Sequence, residues 1–176
     1  MPGGGRCGWL RRMLRPAHIV FGVGGGIAGT VYGTVTVMAT IAAYGRDKHP
    51  WDLAGLVAAT AVVFWIAHIY AHGLSESIAE GEPIRPHSLA PIARREVGIL
   101  GAAVLPVVAL LLGAAGVIRA ESSAWVALAA GLATLVVQGA RYARLEALGP
   151  KRTAAVIAFN VALGLIVVVL KVEIAH

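Results

Sequence analysis

Gly55 to Leu74 reads GLVAATAVVFWIAHIYAHGL, twenty residues without one Asp, Glu, Lys or Arg. At 1.5 Å per residue such a run covers about 30 Å as a helix, the thickness of a bilayer's hydrocarbon core. Lipid offers the backbone no hydrogen-bond partner, so a segment of this kind crosses as an α-helix. Two features make it unusual. His68 and His72 stand four residues apart inside it, and the polar sequence SESIAE follows at residues 75–80.

Working outward, the same kind of apolar block recurs. Spans are expected at about 17–44, 51–74, 97–118, 123–142 and 153–174, joined by short polar segments. Of the 176 residues, 58% are hydrophobic and 14% charged, against about 25% charged in a soluble domain. The predicted fold is all-α: a polytopic membrane protein of five transmembrane helices. Residues 1–16 form a basic cytoplasmic tail, and residues 17–176 a single transmembrane domain with a cytoplasmic loop at 75–96. Arg6, Arg11, Arg12 and Arg15 precede the first apolar run, but that run is longer than a 7–15-residue signal-peptide core, so it reads as a retained first helix.

Loop charge sets the expected orientation. On one side lie Arg6, Arg11, Arg12, Arg15, Arg85, Arg94, Arg95, Arg141, Arg144, Lys151 and Arg152; on the other lie Arg46, Lys48, Arg119 and Lys171. The bias places the N-terminus in the cytoplasm and the C-terminus outside. The net charge of +6 is thus a matter of topology, and no nucleic-acid partner is expected. Cys7 is the single cysteine, which rules out an intrachain disulfide and a cysteine-built metal site. Arginine outnumbers lysine twelve to three amid abundant Ala, Gly and Val, a bias typical of GC-rich bacterial genomes. The expected location is a bacterial inner membrane.

Few side chains can carry chemistry. His68, His72 and Glu76 are spaced i, i+4, i+8 and form one stripe near the cytoplasmic end of the second helix. Imidazoles suit zinc, iron or copper, with a carboxylate completing the set, and histidine also relays protons. The same spacing equally fits a polar helix end, with His72 at headgroup level and His68 bonded to a neighbouring helix. Gln138 and Asn160 fall at a similar depth on the fourth and fifth spans, as do the glycines of the first. Together they suggest a polar chamber open to the cytoplasm, because polar groups in a membrane face the bundle interior.

In the first span, Gly22, Gly25, Gly26, Gly29 and Gly33 include several pairs four residues apart, the small-xxx-small spacing that lets another helix approach. Thr30, Thr34, Thr36 and Thr40 can each bond back to their own helix. Glu96 reads as the acidic residue that opens the third span, suited to a helix N-terminus. Pro83, Pro86 and Pro91 exclude a long helix through the 75–96 loop, so the second helix is expected to continue to about Glu80 and the chain then to run extended. No nucleophile triad, phosphate loop or HExxH pattern occurs, so no enzymatic activity and no resident cofactor are expected.

Val20 to Gly29, VFGVGGGIAG, resembles the first-helix motif of the vacuolar-iron-transporter-like family, whose core is Asn-Asp-Gly. Gly24 and Gly25 stand in place of the Asn and Asp, and Gly26 matches. The layout is similar as well: the resemblance implies five helices, a cytoplasmic N-terminus and a metal-handling extension between helices two and three. FWIAHIYAHGL, residues 64–74, also resembles a pattern in small bacterial multi-pass membrane proteins. Two functions follow as expectations. One is an oligomeric, preferably dimeric, transporter or channel for a divalent metal or a proton, with the metal as substrate and His68, His72 and Glu76 as its candidate ligands. The other is a membrane scaffold or accessory subunit that transports nothing.

Overall fold

A computed structural model describes residues 18–81, 83–84 and 86–174; the side chains of residues 18–25, 80, 86, 88 and 170–174 lie outside the described residues. Among the described residues six helices follow one another: α1 (His18–Tyr44), α2 (Pro50–Glu80), α3 (Pro86–Arg95), α4 (Gly98–Ala114), α5 (Ala120–Leu145) and α6 (Pro150–Ile174). There is no strand among the described residues. The expected basic tail at 1–16 falls outside them, as do the surroundings of Gly22 and Gly25.

Helices α1, α2, α5 and α6 are each long and apolar enough to cross a membrane. α4 has 17 residues, about 26 Å, which falls short of the ~30 Å core. Joined to α3, from which it is bent by 43°, it forms a pair that is together long and apolar enough to cross. The bend falls at Glu96 and Val97, where Ile99 N–H donates to Glu96 O at 3.0 Å and Gly101 N–H to Val97 O at 3.1 Å. At the bend Glu96 is buried against Gly29 of α1, while Val97 stays exposed.

α2 is the longest helix, 31 residues or about 46 Å. Pro50 takes its first position, where a missing N–H costs nothing. The His49 side chain accepts from Trp51 N–H, and Asp52 lies in the first turn, where a carboxylate suits the dipole. The helix ends where Gly81 turns left-handed, φ 70°, and returns its N–H to Ser77 O. The expected continuation to Glu80 is therefore found. The rest of the 75–96 loop differs from the expected extended run, because α3 is a ten-residue helix. Pro86 occupies its first position and Pro91 lies inside it. A single internal proline removes one ladder bond, a cost a short helix offsets by docking. Ile92 is buried, the Leu89 side chain lies over Gly73, and Trp65 Nε1–H donates to Ala93 O at 3.2 Å.

α4 is the central helix, lying against α1, α2 and α5, with α6 outside on α5 and α1. Its buried face is made of small residues, Ala102, Ala103, Ala109 and Gly113 among them, so neighbouring backbones come close. Met38, Ile41, Leu53, Val57, Leu110 and Leu135 fill the core. Outward-facing Val63, Ile66, Phe159 and Ile166 stay exposed, as lipid contact requires. The threonines behave as the sequence predicts. Thr30, Thr34, Thr36 and Thr40 donate to Gly26, Thr30, Tyr32 and Thr36 carbonyls at 2.7–3.0 Å.

Candidate metal centre

The glycines of α1 position the site. A Cβ on Gly33 would lie 2.8 Å from Ile99 O, and one on Gly98 would lie 2.5 Å from Gly26 O. Both are below any ordinary contact, so α1 and the start of α4 touch backbone to backbone. This glycine face, expected to meet another helix, meets one of the same chain. Gly29 sits between these contacts, and its nearest heavy atom in the Cβ direction is Glu96 Oε2, at 3.1 Å. The missing side chain at residue 29 is the space that Glu96 fills.

Glu96 is 4% exposed. A carboxylate taken from water needs countercharge and hydrogen-bond donors. Arg95 Nε approaches Glu96 Oε1 at 3.5 Å, and His72 Nε2 approaches the same oxygen at 3.8 Å. The N-terminal end of α4, beginning two residues later, adds favourable dipole. Both separations exceed the ~2.7–2.9 Å of a charge-assisted hydrogen bond, so neither contact pins the carboxylate.

His68 lies one turn deeper on α2. Its ring is 5.4 Å from that of His72, edge-on, 5.2 Å from Phe64 and 5.9 Å from Tyr32 of α1. Phe64, His68 and His72 thus form one stripe, roofed by Tyr32. The polar stretch of α2 begins at Ser75; His72 precedes it by less than one turn, and His68 lies about 6 Å further along the helix axis.

One ligand atom each from His68, His72 and Glu96 lies within 4.8 Å of the other two. Around a zinc ion with ligands at 2.0–2.1 Å, a tetrahedron spaces its donors by about 3.3 Å. Side-chain adjustments of roughly 1 Å would therefore close these three onto an ion. Two imidazoles and one carboxylate with a position left open is the donor set of zinc and non-haem iron centres.

Glu76, the carboxylate expected third in the stripe, is half-exposed and faces Arg95 Nη2 at 3.5 Å. Glu96 joins the histidines instead. Nothing in the local spacing announced this, because Glu96 reaches them only through the docking of α3 and the α1–α4 crossing. A signal was present in its position, a carboxylate at the mouth of a span beside a glycine-rich helix.

Asn160 occupies a different seam, the one between α5 and α6. Gln138 is buried and accepts from Arg141 Nη1 at 3.4 Å, while Asn160 Nδ2 donates to Leu135 O at 3.3 Å and packs on Gly139. The Asn160 contacts join α5 to α6 and the Gln138 contact stays within α5, whereas the histidines face Tyr32 of α1 and Glu96. Of the expected polar layer, Asn160 thus groups with α5 and α6, and α1 touches both of these helices as well as α2.

No family model, curated protein or solved structure matches the chain.

Proposed function

We propose that this multi-pass protein binds a divalent first-row transition cation, of the Zn²⁺ or Fe²⁺ class, at His68, His72 and Glu96, and moves it across the membrane as an oligomer. The observation that carries this reading is the convergence of two imidazoles on a buried carboxylate, drawn from two separate stretches of chain. Imidazole ligands favour zinc or iron over magnesium and calcium, which prefer all-oxygen cages. The arginine bias of the loops supports a cytoplasmic mouth for the site. The resemblance of the first-helix stretch Val20–Gly29 to vacuolar-iron-transporter-like proteins would fit the same class of cargo.

A second reading is a metal-binding accessory subunit that transports nothing, and one observation favours it. Beyond the site, the α1 threonines spend their hydroxyls on their own helix, and Met38, Ile41, Leu53 and Val57 fill the bundle. Among the described residues a single copy therefore offers the ion no lined route onward, and transport requires a second copy.

Purified protein in liposomes, loaded with a Zn²⁺-sensitive dye, separates these readings. Transport predicts Zn²⁺ flux that is lost in His68→Ala/His72→Ala while the protein stays folded. Binding without flux selects the accessory subunit. Flux that is unchanged in the double variant sinks the histidine site.

A further inference from the structure

The Arg95 guanidinium spans two carboxylates, with Nε 3.5 Å from Glu96 Oε1 and Nη2 3.5 Å from Glu76 Oε1. One is inside the candidate centre and 5% exposed; the other is outside it and 46% exposed. The Glu96 oxygen that Arg95 approaches is the same one His72 approaches. A divalent ion drawn in by His72 and Glu96 would arrive beside the guanidinium, where the two positive charges repel each other.

We propose that Arg95 is a tethered substitute cation: it neutralises buried Glu96 when no metal is bound and moves onto Glu76 when a metal ion takes its place. This rests on the metal-centre reading above. It meets a physical need, because a carboxylate buried at membrane depth without countercharge is costly. It also gives Glu76 a role in the site without making it a ligand: Glu76 receives the displaced arginine. A planar guanidinium is suited to such sharing, since its donors diverge and reach two acceptors at once. Binding and release then exchange one cation for another at Glu96, so the carboxylate is never left bare. The two carboxylates face neighbouring nitrogens of one guanidinium, so a modest side-chain movement suffices.

The test is Zn²⁺ affinity of the tag-free full chain in detergent micelles, measured against a chromogenic chelator. If Arg95 competes with the metal, Arg95→Gln binds Zn²⁺ about tenfold more tightly, within the range usual for coupled sites. Arg94→Gln, which removes the same charge from an exposed neighbour, stays near the wild-type value. Glu76→Gln weakens binding several-fold, and this effect vanishes when Arg95→Gln is also present. Unchanged or weaker binding in Arg95→Gln overturns the proposal, and so does equal tightening in Arg94→Gln, which would indicate diffuse charge. If Arg95→Gln gives no folded protein, Arg95→Lys takes its place: it keeps the charge and loses the fork, so adding Glu76→Gln should then change nothing, and a persisting Glu76 effect overturns the exchange. Zn²⁺ binding that survives His68→Ala/His72→Ala refutes the metal centre itself. Binding that needs those histidines yet ignores Arg95 refutes the exchange alone.

Discussion

Replacing Gly98 by Ala tests the packing that buries Glu96. The new Cβ would lie 2.5 Å from Gly26 O and 2.6 Å from Thr30 Oγ1, about 0.9 Å inside the 3.4 Å at which ordinary contact begins. Gly26 O belongs to the α1 backbone and already accepts the Thr30 hydroxyl, so neither obstacle can swing aside freely. Overpacking of this kind costs about 1–3 kcal/mol. Exchanging glycine for alanine in a helix returns up to ~1 kcal/mol, and less here, because residue 98 is the first of α4. The expected net loss is about 1–2 kcal/mol, or roughly tenfold in the unfolding equilibrium. Gly101→Ala on the same helix is the control, since nothing lies within 4 Å of its Cβ position, and it should be neutral or slightly stabilising. Unfolding in mixed detergent–SDS micelles reads both. Zn²⁺ affinity should fall with stability in Gly98→Ala, because Glu96 moves with the start of α4. Equal unfolding of the two variants would refute the backbone contact between α1 and α4.

Gly29→Ala places a methyl 3.1 Å from Glu96 Oε2; Zn²⁺ affinity should drop several-fold with little change in unfolding, and an unaltered affinity would place the carboxylate elsewhere. Ala147 has φ 48°, and Leu148 N–H bonds Ala143 O while Ala147 N–H bonds Arg144 O, the Schellman pattern that prefers glycine at this position. Ala147→Gly should therefore stabilise by about 1 kcal/mol. Gly116 holds the same place after α4, with φ 75°, and Gly116→Ala should destabilise by a similar amount; matching unfolding curves for the two variants would contradict the assignment.

The spans were legible because hydrophobic length is a local property: twenty apolar residues need no knowledge of their neighbours. The threonines and the extension of α2 to Glu80 were legible for the same reason, as each satisfies its own helix. α3 was not, because three prolines within residues 83–91 argue for extended chain, and what rescues the helix is its docking through Ile92, Leu89 and the Trp65–Ala93 bond. The candidate centre was half legible. His68 and His72 share a face by spacing alone, but their carboxylate comes from Glu96, brought to them by a helix crossing that glycines permit. Depth along the spans grouped Gln138 and Asn160 with the histidines, but depth carries no information about rotation around the helix axis. Rotation is what sends Asn160 to the α5–α6 seam.

The unequal lengths of α2 and α4 bear on how lipid would govern this site. A 31-residue helix and a 17-residue one differ by about 21 Å when upright, so no single bilayer suits both. α2 absorbs the difference by projecting into water. α4 has only α3, across the bend at Glu96, to lengthen it, and the chain at Glu96 would ride at whatever level the acyl chains impose. Short-chain lipids would leave the carboxylate among the headgroups and open to ions. Long-chain lipids would draw it under the surface and lengthen the path an ion must take to reach it. Acyl-chain length thus becomes a control on access to the centre that acts without altering a residue.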